Sequence, residues 1–235
     1  MKSKAITSGW LRYLLDLLVV VVGIVIAFQL DSRHQAHTDA ALLASHYEGL
    51  ADEISYNRGA LQQAEAMASR NRDLADTIMY LVRSGSTDVD AFNRFTYQLL
   101  NLGGVYIKRN AYQTLVTSGD IRLIKDFERK DHIIRLYEYY EWVKSMDNIN
   151  LDSYQRYFYP WVMAHQNMSN GAPATLEEYR SREYFNAVAS YYYHLNSRIE
   201  RYQECQKMLE TFVAEGLLPE VDTLAPPAAK PATAR

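Results

Sequence analysis

Apolar residues are distributed along this chain in two regimes. From Leu14 to Leu30 the sequence reads LLDLLVVVVGIVIAFQL, almost without interruption. From Thr38 onward apolar residues return every three or four positions among polar ones. The first regime predicts a helix that crosses a bilayer. At helical rise, Tyr13 to Leu30 covers roughly 27 Å, close to the thickness of a hydrocarbon core. Trp10 and Tyr13 are interface-type aromatics at one end, and Gln29 and Asp31 close the other. A cleavable secretory signal is the rival reading, but small residues in cleavage spacing are missing near Ala27 to Gln29.

The second regime predicts long amphipathic helices. Leu43, Tyr47, Leu50, Ile54, Leu61, Ala64, Ala68, Ala75, Ile78 and Val82 form a heptad-like seam, with Asn57 and Asn71 in seam positions. Ser84-Gly85-Ser86 ends that helix, and Thr87 or Asp88 can cap the next, from Asp88 to Leu102, before Gly103-Gly104. A short helix follows from Lys108 to Ser118, closed by Gly119. A long one runs from about Asp126 to Phe158, where Pro160 is expected to break it. Thr175 and Glu178 have capping-box spacing, and the last helix, to about Glu215, carries Val188, Tyr192, Leu195, Ile199, Tyr202, Leu209 and Phe212. Strand-like alternation and fixed repeats are missing, so the expected fold is all-α. One N-terminal transmembrane helix precedes an elongated bundle with coiled-coil-like long helices. The divisions are an N-terminal segment (1–12), the anchor (13–30), an extracytoplasmic helical domain (31–216) and a disordered Pro/Ala-rich tail (217–235).

Charge adds orientation and removes one class of partner. Lys2, Lys4 and Arg12 precede the span, whereas Asp31, Arg33 and Asp39 follow it, which predicts a cytoplasmic N-terminus. The chain carries −3 overall; residues 1–30 hold three cations and Asp16, a balance of +2, leaving −5 for the rest. A mildly acidic domain without a basic face is a poor ligand for nucleic acid. The single Cys205 rules out an internal disulfide and any cysteine-built zinc site, and it falls in a helical pattern as a small buried residue.

Candidate chemistry is sparse. Within the span, Asp16 lies one turn past Arg12 and can pair with it, while Gly23 and Ala27 form a small-xxx-small pair that favours helix association. His34 and His37, with Asp39 nearby, fall short of a closed metal site. His46 with Glu53, and His132 with Glu128, read as surface pairs at helical spacing. The sequence contains no nucleophile elbow, HExxH or phosphate-cradling glycine loop, so it points away from an enzyme and implies no cofactor. The distinctive content is aromatic: 19 tyrosines, most of them on the seams. Tyr139, Trp142, Tyr191 and Tyr193 fall off the seams and are candidates for an exposed partner surface.

Two stretches carry a resemblance: VGIVIAFQL at Val22–Leu30 and NAYQTLVTSGDIRLIK at Asn110–Lys125. Together they resemble a bacterial family of single-pass inner-membrane proteins known only as a domain of unknown function. That family joins a VGI-type anchor to a helical region with an AYxxLxxSG corner. Its usual Asn-Trp after the anchor is here Asp31-Ser32. The resemblance implies a bacterial inner-membrane protein with its C-terminal domain in the periplasm, and it brings no activity. At the corner, Gly119 can take the left-handed conformation, Asp120 can cap the next turn, and Asp120 and Arg122 are candidates for partner recognition. The expected role is a membrane-anchored interaction or scaffold protein, with a homo-oligomer or an envelope protein as partner. The alternatives are a ligand-sensing bundle that signals through a membrane partner and, last, an enzyme acting on an envelope substrate.

Overall fold

Nothing between Leu30 and Thr38 can stop a helix: the segment holds neither proline nor glycine. In the computed structural model, which describes residues 6–215, the two regimes accordingly fuse into one helix, α1 (Ile6–Arg83). Its 78 residues reach about 117 Å at helical rise. The apolar stretch is exposed around its whole circumference, and among the described residues it packs on nothing outside its own helix. Exposure continues past it to about Leu42; burial starts around Leu43 and is complete at Leu50. The Pro/Ala-rich tail and residues 1–5 of the N-terminal segment lie outside the described residues, as does the side chain of Arg12 that was expected to pair with Asp16.

The upper part of α1 belongs to a bundle whose central member is α7 (Arg182–Ala214). This helix packs on α1 along one side and on α4 (Phe127–Ser153) along the other. It runs antiparallel to α1: Arg180 reaches the carbonyls of Gly85 and Ser86, Tyr191 lies beside Asn71, and Gln203 and Gln206 bond Glu65. The seam positions Leu50, Ile54, Leu61, Ala64, Ala68, Ala75 and Ile78 are buried inside this single chain. Local signals set the ends. Asp88 caps α2 (Val89–Leu99), Asp126 caps α4, Ser181 caps α7, and Thr175 with Glu178 forms the capping box of α6 (Leu176–Tyr179).

A fourth row on the bundle is only partly helical. The α2 helix stops at Leu99, earlier than the sequence suggests, and α3 (Asn110–Thr117) starts later. Between them, residues 100–109 form a non-helical strap descending beside α1 from Asn71 to Asn57. Side chains from Gly103 to Asn110 alternate between sheltered and exposed, the period of an extended chain. Gly103 belongs to the strap because Met67 of α1 occupies the space a Cβ would need.

Pro160 does not break the long fourth helix. A π turn (Tyr154–Phe158) follows α4, with the Tyr159 N–H donating to the Tyr154 carbonyl, and α5 (Tyr159–His165) continues with Pro160 in its first turn. Proline lacks the donor and crowds the carbonyl four residues back. Widening the preceding turn relieves the crowding, and a new first turn tolerates the missing N–H.

Candidate functional site

Backbone groups in a non-helical strap must find partners other than a helix ladder. Here buried polar side chains supply them from three helices. The Asn57 amide donates to the Lys108 carbonyl at 2.8 Å and accepts from the Lys108 N–H at 2.8 Å. Asn71 donates to the Asn101 carbonyl at 2.9 Å. From the other side, Asp147 of α4 accepts the Val105 N–H at 2.9 Å and holds Arg198 of α7 at 2.7 Å. Arg198 donates onward to the Gly103 carbonyl, and the Tyr202 hydroxyl donates to Asp147 at 2.5 Å. Arg198 is 2% exposed, so its charge is answered almost wholly by this cluster. Burial works to lower the guanidinium pKa, but the Asp147 carboxylate and the hydrogen bonds to Asp147 and Tyr202 outweigh it and keep the pKa above its ordinary value. Glu53, also buried, accepts the Ala111 N–H at 2.9 Å at the start of α3 and the Tyr137 hydroxyl. The two seam asparagines thus bind a segment of their own chain instead of facing a partner helix.

The strap and α3 lead into the corner of the sequence resemblance. Gly119 takes φ +78°, as its place after a helix suggests, and Leu115 and Ile124 are buried. Asp120 opens the 3-10 turn Asp120–Leu123 without capping it by its side chain. Its carboxylate instead accepts from the Ser118 hydroxyl at 2.7 Å and meets His46 of α1 at 3.0 Å. These two neighbours, Ser118 first, hold the Asp120 carboxyl below its ordinary range. His46 therefore pairs with Asp120 and not with Glu53, because Glu53 is turned inward to α3 and Tyr137. Asp120 faces α1 while Arg122 stays exposed, so the corner does not bring these two residues together as one surface.

The candidate aromatics separate. Tyr191 is fully buried, ringed by Tyr154 and Phe158, whereas Tyr192 beside it is only partly buried. The expected exposure of Tyr191 is therefore corrected: α7 is central and buries a wider arc than a single seam. Tyr193 is 67% exposed. Tyr139 and Trp142 meet edge to face at 5.3 Å on the outer side of α4. Across from them on α7, Arg201 lies over the Trp142 ring at 4.2 Å and pairs with Glu204, which accepts from the Tyr139 hydroxyl. Burial, then Glu204, pushes the Tyr139 phenol up to about 12.

This quartet closes one end of a groove of about 430 Å³ between α4 and α7. Leu136, Met208 and Phe212 give it an apolar floor, and Arg135, Lys207, His132 and Glu215 line its rim. His132 lies 3.8 Å from Glu215, not beside Glu128 as helical spacing suggests. Arg201 and Glu204 were legible as a helical pair, but that they face Tyr139 and Trp142 depends on how α4 and α7 dock.

Asp16, Gly23 and Ala27 lie on the exposed stretch of α1, and no other group comes within 4 Å of a Cβ built on Gly23. Among the described residues, no group of three or more His, Cys, Asp or Glu side chains could hold a metal ion. Cys205 is buried, which pushes its thiol up to about 12 and away from nucleophilic use. Comparison of the chain with protein-family models, curated proteins and solved structures finds no match.

Proposed function

We propose that this chain is a membrane-anchored interaction protein of the bacterial envelope, with the α1 stretch from Tyr13 to Leu30 as its span. The carrying observation is the unbroken α1: an all-round apolar segment continues as one rod into the bundle. A helix apolar on every side is stable only in an apolar medium, and among the described residues nothing covers this one. The basic residues before the span support a cytoplasmic N-terminus and a periplasmic bundle. The open face at Gly23 and Ala27, with Asp16 nearer the N-terminus, supports association with a second membrane helix. The partner-facing surface is the flank of Tyr139, Trp142, Arg201 and Glu204 with its adjoining groove. It combines exposed aromatic area with fixed charges, as binding surfaces do. The sequence resemblance to single-pass inner-membrane proteins agrees with this reading.

The test is extraction of the tagged full chain from native membranes in mild detergent, followed by complex mass and identification of co-purifying proteins. A stoichiometric companion, lost from Trp142→Ala with Arg201→Ala, is the expected result. A homo-oligomer that Gly23→Leu disrupts supports self-association instead. A monomer without companions overturns the proposal. A second reading, a ligand-sensing bundle that signals through a membrane partner, draws support from a polar groove beside α5.

A further inference from the structure

The groove beside α5 is built by the irregularity at Pro160. A π turn holds an extra residue, so side chains after it are rotated relative to the face α4 would otherwise have continued. Trp161 and Val162 thereby enter the core, while Tyr157 and Pro160 stand outside it. Between this wall and the first turns of α7 lies a groove of about 690 Å³, within the range of small-molecule sites. π turns cost regular hydrogen bonding and recur at functional sites. Pro160 has no N–H, which also leaves a carbonyl of the preceding turn without a helix donor.

The lining selects a chemical class. Trp161 is itself buried and stacks on His165 with ring centroids 4.7 Å apart and planes 15° apart, which fixes the orientation of the His165 ring in the lining. Tyr157, 58% exposed, forms a free aromatic rim. Opposite it, α7 contributes Glu183 and Asn186, a carboxylate and an amide. Arg156 lines the same groove and pairs with Asp152 at 2.7 Å on the exposed side. Arg156 and Glu183 bring opposite formal charges to the lining, so it holds no net charge to select an ion of either sign. Aromatic faces suit ring C–H surfaces, and a carboxylate that accepts beside an amide that both donates and accepts suits adjacent hydroxyls. We infer that this groove binds an uncharged polyhydroxylated ligand, a short oligosaccharide. The inference goes beyond the interaction role and does not depend on the α4–α7 flank.

The experiment uses the full chain in lipid nanodiscs, since sugar-headgroup detergents would compete. Calorimetric titration with three probes, the tetrasaccharides of β-1,4-linked N-acetylglucosamine, β-1,4-linked glucose and α-1,4-linked glucose, measures binding directly. Tryptophan emission is followed in parallel in a Trp142→Phe background. The expected result is saturable binding of at least one probe with Kd below about 1 mM. Binding weakens at least tenfold in Tyr157→Ala and in Glu183→Gln, and it is unchanged in Tyr80→Ala on exposed α1 surface. Tyr157 is exposed, so its variant keeps the melting temperature of the parent, which separates lost binding from lost fold. Absence of saturable binding of every probe, binding that survives both groove substitutions, or preference for choline over all three sugars overturns the inference.

Discussion

Arg198 concentrates the internal electrostatics of the bundle in one side chain. It joins α7 to Asp147 of α4 and to the strap carbonyl of Gly103, in a site nearly closed to water. Removing one member of a buried charge pair strands the other, which costs more than the pair contributes. Arg198→Met is therefore expected to lower unfolding stability by about 3–5 kcal/mol, read from urea denaturation. Adding Asp147→Asn to that variant should recover part of the loss, because no uncompensated carboxylate remains. Asp120 gives the opposite case, a pair at the edge of the fold. Its carboxyl titrates below the unfolded value, so its contribution is complete above that value and disappears as pH falls through the folded one. Asp120→Asn should melt below the parent at pH 7, and the gap should narrow as pH falls below the ordinary carboxylate value of 3.8. A gap that stays constant on acidification through the folded transition would mean that charge is not what His46 and Ser118 respond to.

At the level of elements, α1 is one helix with two environments. From Leu50 to Met79 it is buried on one side against α7 and the strap, whereas from Asp31 to Ala41 it is almost wholly exposed. A helix gains most of its stability from packing, and short unsupported segments are marginal in water. Hydrogen exchange in nanodiscs is expected to show fast exchange over Asp31–Ala41 and strong protection over Leu50–Met79. Strong protection of the lower segment would mean that another chain covers it. The strap follows the same logic in reverse: it lacks a ladder of its own, yet Asn57, Asn71, Asp147 and Arg198 grip its backbone from both sides. It links α1 to α4 and α7, so displacement of one helix against the others would have to break buried hydrogen bonds.

For the whole molecule, orientation is the property that decides which partners are reachable. Under the proposed topology, a Ser32→Cys chain in intact cells with a permeabilised outer membrane reacts with a membrane-impermeant maleimide. The parent provides a quiet background. Burial holds the Cys205 thiol pKa near its folded value of about 12, above the unfolded 9.0. That contribution to stability is therefore present below the unfolded value and is lost only as pH rises toward 12. The native protein should stay unlabelled at pH 7 until denatured. Labelling of Ser32→Cys only after the inner membrane is breached would reverse the proposed orientation.

Much of this architecture was determined one element at a time by the sequence. The helix over the apolar run, a cap at Thr87 or Asp88, the capping box at Thr175 and the left-handed Gly119 follow from interactions within a few residues; the structure shows the helix, chooses Asp88 and keeps the other two. Tertiary packing decided the rest. Which of Tyr191 and Tyr192 enters the core depends on helices on two sides of α7, and the partners of Asn57 and Asn71 lie on a strap whose short alternation does not say which helix it packs against. The same is true of Asp147 with Arg198 and of His46 with Asp120, pairs far apart along the chain. Pro160 marks the limit between the two: its local chemistry forbids a regular turn, but only the packing of Trp161 and Val162 chose a π turn over a break. Short-range sterics and hydrogen bonding act wherever the residues occur, whereas a buried polar group finds its partner only after the helices have docked.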